Sequence, residues 1–129
     1  MISSVRKIVL PVQNLDDAIA FWVNKLGFQL AVDEQYGDQG RWVEVVPPDR
    51  ALSMILSLET ERSNDRRVSP NLPTSPVFFN CSDILKTHAE LRARGVTFAK
   101  DPERLPFGWW AMFEDDAGRR YALGQWDNA

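Results

Sequence analysis

The sequence has little cysteine, histidine or uninterrupted hydrophobic length. A single cysteine in 129 residues cannot form an internal disulfide, which favours a reducing compartment. No apolar run approaches the roughly 20 residues that a membrane span needs, and the first residues lack the hydrophobic core of a signal peptide. We therefore expect a cytoplasmic protein that has no membrane partner.

An excess of positive charge is also missing. The formal net charge is -3, and the lysines and arginines are scattered, which argues against nucleic acid as a partner. The length corresponds to a single domain, 1–129. What the chain does have in unusual number is tryptophan, with five residues, and indoles often line binding sites or interfaces.

Hydrophobic periodicity predicts two modules of the same design within this domain. Residues 5–58 form the first β-α-β-β-β module and residues 76–126 the second, joined by a polar linker over 59–75 that contains two prolines. The predicted helices begin after Asn14 and at Ile84, and each ends at a glycine. The predicted strands are 5–12, 28–33, 41–46 and 52–58, then 77–81, 96–100, 108–114 and 121–125, with a loop over 101–107.

The two modules also share anchor residues at a constant spacing. Two aromatic stretches that open with glycine, 40–49 and 108–119, look like two copies of one design. The pairs that are 68 positions apart are Gly27 with Gly95, Gly40 with Gly108, Trp42 with Trp110, and Val45 with Phe113. Repeated anchors at one offset indicate an internal repeat.

Two segments carry a family resemblance. Residues 10–28, LPVQNLDDAIAFWVNKLGF, are similar to the strand-turn-helix opening of the vicinal-oxygen-chelate superfamily, and residues 113–118, FEDDAG, are similar to its closing turn. That superfamily holds glyoxalase I, extradiol dioxygenases, and fosfomycin- and bleomycin-resistance proteins. The resemblance covers 5–125 and implies an α+β fold of two βαβββ modules. Their sheets are expected to curl into a cup with the helices outside. The ligand site is then expected inside the cup, which a second chain often completes, so we expect a homodimer.

Metal-dependent members of the family place a His, Gln or Glu ligand on the first and last strands of each module. The matching positions here are Lys7, Pro76, Ala122 and either Ser53 or Met54. None is a good ligand for a divalent cation, since a lysine ammonium, for example, only donates hydrogen bonds. The one histidine, His88, falls in the predicted second helix, outside the cup. We therefore expect no metal site and no cofactor.

Strand alternation then gives a lining for the cup. If Lys7 points inward, alternation and the 68-residue offset place one set of residues on the same face. That set is Lys7, Trp42, Glu44, Met54, Phe78, Asn80, Trp110, Met112 and Ala122. An aromatic lining with a few polar groups suits a flat or amphipathic organic ligand. We hypothesise that Lys7 and Glu44 pair; an unpaired Glu44 would have a raised pKa and the properties of a general base.

Binding without a metal, as in bleomycin-resistance proteins, is the function that these residues favour, and no catalytic residue is assigned. The alternative is a glyoxalase-like lyase or isomerase, or a dioxygenase, with non-standard metal ligands. That enzyme would need Glu44, Glu59 or Gln125 near His88. A third possibility is a regulatory or interaction module with an empty cup. The alternative for Trp42 and Trp110 is that they fill a collapsed cup or form a dimer interface.

Overall fold

The computed structural model describes residues 1–36, 40–58, 75, 77–106 and 108–126. The chain divides into two compact units, Met1–Arg66 and Arg67–Ala129, each with its own sheet. No helix within the described ranges is long and apolar enough to cross a membrane.

The first unit contains a four-stranded mixed sheet. Its strands are β1 (Lys7–Val12), β2 (Gln29–Tyr36), β3 (Gly40–Val46) and β4 (Ser53–Leu58), in the spatial order β1-β4-β3-β2. β1 runs parallel to β4, and the other neighbours are antiparallel. β1 is therefore an edge strand, where a proline such as Pro11 disturbs the ladder least because it has no N–H to donate.

The helical segment between β1 and β2 changes its winding part of the way along. An α-helix, α1 (Leu15–Ile19), begins after Asn14, whose side chain accepts a backbone N–H of the first turn. It continues as a π-helix over Ala20–Lys25, although the sequence pattern predicts one regular helix. Trp22 of this segment is completely buried, and Gly27, at φ +80°, provides the backbone conformation that ends it.

Apolar side chains from alternate strand positions form the core of the first unit, together with side chains from the helical segment. The buried members are Leu10, Val12, Ala18, Phe21, Trp22, Val43, Val45, Met54 and Leu56. Because successive strand residues point to opposite faces, the intervening residues form a second face. We call it the first-unit open face, and it includes Lys7, Val9, Trp42, Glu44 and Ser53.

The second unit contains a five-stranded sheet and the helix α2 (Ile84–Ala93). The spatial order is β5-β9-β8-β6, with a further strand, β7, paired with β8. β5 is parallel to β9, and the remaining pairs are antiparallel. The strands are β5 (Phe78–Asn80), β6 (Thr97–Phe98), β7 (Glu103–Leu105), β8 (Gly108–Glu114) and β9 (Arg120–Trp126).

The strand β7 differs from the loop that the sequence pattern predicts over 101–107. Glu103 pairs with Trp110 and Leu105 pairs with Gly108, so the segment folds back directly onto β8. Its backbone pairing does not depend on alternating apolar side chains, which is why periodicity misses it.

Aromatic rings form the core of the second unit. Phe79, Phe98, Phe113 and Tyr121 lie with neighbouring ring centroids 5.7–6.2 Å apart. His88 of α2 packs edge-on against Phe98 at 4.6 Å. The histidine thus takes part in helix packing on the core side of the sheet.

The acidic turn between β8 and β9 is held by Asp115, which is buried. Its Oδ1 accepts the backbone N–H groups of Ala117 and Arg119, each at 2.9 Å, and its Oδ2 accepts the hydroxyl of Tyr121 at 3.2 Å. Gly118 adopts φ +83° within the turn. The carboxylate therefore stabilises a turn, as the family resemblance implies.

The α+β fold with a β-α-β-β-β order in the first unit is confirmed, and the second unit adds β7 to the same order.

Candidate functional site

The first-unit open face brings polar and aromatic residues from three strands together. Lys7 of β1 lies beside Ser53 of β4 in the parallel pair, and Glu44 of β3 lies beside Ile55 of β4 in the antiparallel pair. Trp42 is two residues before Glu44 and therefore shares its face. All of these residues belong to the four-stranded sheet of the first unit.

Glu44 is the centre of this cluster. Its Oε2 accepts the ammonium of Lys7 at 2.9 Å and the indole N–H of Trp42 at 2.6 Å, and its Oε1 accepts the hydroxyl of Ser53 at 2.6 Å. Glu44 is only 4% exposed. The Lys7–Glu44 pair that the sequence suggested is therefore present, with two further donors that the sequence did not predict.

These three donors determine the charge of Glu44. The hydrogen bond from Ser53 has the largest effect, followed by that from Trp42. Burial opposes them, Lys7 adds to them, and together they lower the pKa of Glu44 to about 2. Glu44 is thus a permanent anion at neutral pH. A general base works best when its pKa is near the operating pH, so this carboxylate does not suit that role.

The neighbours of Glu44 remain accessible. Trp42 is 38% exposed even though its N–H is engaged, and the Lys7 side chain is 39% exposed. Val9, on the same face of β1, is exposed as well. The first-unit open face therefore presents an indole surface, an ammonium and an aliphatic side chain.

The second unit has a corresponding face, which we call the second-unit open face. Phe78 and Met112 flank Ala122 across the ladder, and Asn80 and Trp110 flank Gly124, so these residues lie on one face. Phe78 is 50% exposed, and Trp110 and Met112 are partly exposed.

Trp126 adds an indole to this face that the predicted lining lacks. Its N–H donates to Asn80 Oδ1 at 2.6 Å. A Cβ built on Gly124 would lie 2.0 Å from the ring atom Cζ2 of Trp126, so the indole rests directly on the backbone of that glycine. A glycine inside a strand often marks such a close approach, and Gly124 was the available sequence signal.

Two residues of the predicted lining need correction. The prediction that Met54 lines this face is wrong, because its side chain is completely buried on the helix side of the sheet, with Leu10 and Val45. The register places Ser53 beside Lys7, and a shift of one residue turns a side chain to the other face. Ala122 lies on the expected face but is completely buried, so it offers no accessible surface.

The described residues at the positions of the family's metal ligands either donate hydrogen bonds or have no ligand atom. Lys7 and Ser53 donate to Glu44, and Ala122 has no ligand atom. Pro76 lies outside the described residues. Among the described residues, no group of three or more His, Cys, Asp or Glu side chains is arranged to hold a metal ion.

The other residues that an enzyme alternative would require are also placed. Gln125 uses its side-chain oxygen to accept the backbone N–H of Ile84, the first residue of α2, at 2.8 Å. His88 packs against Phe98. Glu59 lies outside the described part of the chain.

The one cysteine is also explained by packing. Cys81 directly follows β5, and its sulfur lies 3.6 Å from the backbone oxygen of Gly124. Burial raises the pKa of the Cys81 thiol, which lowers its thiolate fraction. This environment does not activate a nucleophile.

Comparison with known proteins identifies the class of protein to which this chain belongs. Residues 4–122 match the model of the Glyoxalase/Bleomycin resistance protein/Dioxygenase superfamily. The chain belongs to this superfamily, as the sequence resemblance suggested.

Relatives and solved structures match along nearly the whole chain. An uncharacterized protein of Shewanella frigidimarina is 31% identical over 128 residues, covering 97% of this chain and 95% of that protein. TnmS3, an antibiotic binding protein from Streptomyces sp. CB03234, is 30% identical, with 98% of each chain covered and a TM-score of 0.78. A superfamily member from Sphaerobacter thermophilus is 30% identical, covering 95% of this chain and 97% of that chain, with a TM-score of 0.80.

Proposed function

We propose that the chain binds a small aromatic or amphipathic organic molecule noncovalently, without a metal of its own, in the manner of a bleomycin-resistance protein. The proposal rests on the fixed orientation and the exposure of Trp42. Its indole is hydrogen-bonded at one edge to the buried carboxylate of Glu44 while more than a third of the residue stays exposed.

A fixed and exposed indole is a favourable surface for an aromatic ring. Trp42 donates its N–H to an anion at 2.6 Å, so its orientation is set before any ligand arrives. A ligand then loses less free energy in ordering the protein, which is the advantage of preorganisation. Stacked or edge-to-face rings add about 0.5–1.5 kcal/mol beyond the burial of area.

The second-unit open face supports the same class of ligand. It presents Phe78, Trp110 and Met112, and Trp126 is held on it by Asn80. Aromatic and thioether side chains contact flat apolar molecules well.

The charged groups of the first-unit open face also favour binding over acid–base catalysis. Glu44 has a pKa near 2, and its donors hold it in place. The 30% identity to TnmS3, an antibiotic binding protein, supports the same class of function.

Replacement of Trp42 tests this proposal. Wild-type protein is screened by tryptophan fluorescence and calorimetry against planar aromatic compounds. For each compound that binds, we expect Trp42→Ala to weaken binding about tenfold because it removes a stacking surface worth roughly 1–2 kcal/mol. Trp42→Phe, which keeps a ring but loses the N–H, should have a smaller effect.

Leu85→Ala is the matched control, because Leu85 is an exposed apolar residue on α2. It should leave affinity unchanged. Unaltered binding in Trp42→Ala, or no binding of any planar compound to wild type, would contradict the proposal. Stoichiometric metal that survives dialysis would instead favour the enzyme alternative.

We also propose that the chain forms a homodimer. β1 and β5 are edge strands of their sheets, and unpaired backbone N–H and C=O groups on such edges are usually covered. Sedimentation analysis at micromolar concentration should give twice the chain mass of 14.7 kDa. A species of single-chain mass across the concentration range would argue against the dimer.

A further inference from the structure

The ion pair on the first-unit open face is unequally exposed. The side chain of Lys7 is 39% exposed, whereas that of Glu44 is 6% exposed. An approaching molecule therefore meets the ammonium rather than the carboxylate.

Glu44 has little capacity left for a ligand. Its two oxygens already accept three hydrogen bonds, from Lys7, Trp42 and Ser53. An ionised carboxylate is an acceptor only, with about four positions in total. The Glu44 carboxylate, to which a cationic or donor-rich ligand would bind, is therefore both buried and largely occupied by other donors.

Lys7 is placed to use its remaining donors. An ammonium has three N–H groups, and the hydrogen bond to Glu44 uses one of them. Because Lys7 Nζ and Trp42 Nε1 both touch the same oxygen of Glu44, the ammonium lies next to the N–H edge of the exposed indole. Val9 adds exposed apolar surface two residues along β1.

We infer that the ligand of the first-unit open face is an aromatic carboxylate, with its ring on Trp42 and its carboxylate on Lys7. This inference rests on the proposed function and names the ligand class within it. The carboxylate belongs at the edge of the ring, because the ammonium lies at the edge of the indole.

An exposed acidic side chain of β2 also lies on this face. Glu34 is exposed on β2 and pairs with Trp42 across the ladder. Because Glu34 is exposed, water and salt weaken its repulsion of an anion, and the ligand carboxylate is expected on the Lys7 side of the indole.

Three naphthalene probes that differ in one group test the inference: 2-naphthoate, 2-naphthamide and 2-naphthylmethylamine. Affinities are measured by calorimetry at neutral pH and moderate salt. We expect 2-naphthoate to bind about threefold to tenfold more tightly than the amide, since a charge-assisted hydrogen bond is strong but partly screened at an exposed lysine. The ammonium probe should bind most weakly.

Lys7→Met should reduce the preference for 2-naphthoate over the amide to near one while both probes still bind. Lys86→Met removes an equal charge from an exposed position on α2 and should retain the preference. Lys7→Gln serves if Lys7→Met fails to fold, as judged by circular dichroism.

The outcomes separate this inference from the proposed function. If all three probes bind equally, or if Lys7→Met keeps the preference, the ligand class is wrong while aromatic binding stands. If no probe binds to wild type, both are contradicted.

Discussion

Glu44 accepts hydrogen bonds from residues of β1, β3 and β4, and so it connects three strands through one carboxylate. Burying a charge costs several kcal/mol unless it is paired and hydrogen-bonded. The three donors to Glu44 offset that cost. The same bonds hold Trp42 and Lys7 where they can meet a ligand.

The stability of the protein should therefore depend on the ionisation of Glu44. Its pKa falls from 4.5 to about 2 on folding. A lowered pKa contributes stability that is present above about pH 4.5 and is lost as the pH falls toward 2. Allowing for solvent screening near the surface, we expect a contribution of about 1–2 kcal/mol at neutral pH.

Glu44→Gln measures this contribution. The amide is neutral and turns a donor toward a donor, so the free energy of unfolding in urea should fall by about 2 kcal/mol at pH 7. The difference from wild type should shrink as the pH approaches 2. Glu103→Gln, at an exposed position of β7, is the control. A difference that does not change with pH would contradict the role of the charge.

The sequence predicts the Lys7–Glu44 pair but not the full cluster. The family resemblance sets Lys7 on the inner face, and the 68-residue offset places Glu44 on the same face. Ser53 and Met54 follow a turn, and a one-residue uncertainty there exchanges the two faces. Only the observed register, Lys7 beside Ser53, resolves the choice.

At the level of the element, β9 is shaped by a contact within the strand itself. Trp126 folds back over Gly124 and reaches Asn80 on the neighbouring strand β5. This arrangement requires that position 124 has no side chain. It covers part of the second-unit open face with an indole that belongs to the protein.

Gly124→Ala should displace that indole. A new Cβ would lie 2.0 Å from Cζ2 and 2.3 Å from Cε2 of Trp126, so the ring must swing away and lose its bond to Asn80. We expect a clear loss of near-ultraviolet circular dichroism with a loss of about 1 kcal/mol in unfolding free energy, the usual value for one hydrogen bond.

A double-mutant cycle isolates the cause. In a Trp126→Ala background, Gly124→Ala has no indole to displace and should change neither signal. If the glycine substitution is as damaging there as in wild type, the effect comes from the strand backbone and not from Trp126.

Element boundaries were predictable where side chains alternate or caps are present. β8 was predicted as observed, Gly108–Glu114, because an apolar and aromatic segment lies between an opening glycine and the acidic turn that follows it. β7 was missed because Glu103 and Arg104 show no such pattern. The π-helical segment Ala20–Lys25 was missed because hydrogen-bond spacing within a helix is set by packing that periodicity does not encode.

At the scale of the whole molecule, the two units share one element order, but this shared design does not account for the difference in their chemistry. The 68-residue offset relates Trp42 to Trp110 and Glu44 to Met112, and both pairs lie on the open faces of β3 and β8. The residues at these equivalent positions differ, so the first-unit open face carries an ordered ion pair and the second-unit open face carries aromatic and thioether side chains. The offset predicts equivalent positions, but the chemistry at each comes from the individual residues.

Whether binding requires a metal can be measured by titrating metal-free protein. Protein dialysed against EDTA is titrated calorimetrically with 2-naphthoate in the presence of EDTA, beside Trp42→Ala. We predict saturable binding to wild type that is about tenfold weaker in Trp42→Ala. Absence of binding under these conditions, with recovery only when a divalent metal is added back, would show that the ligand site depends on a metal.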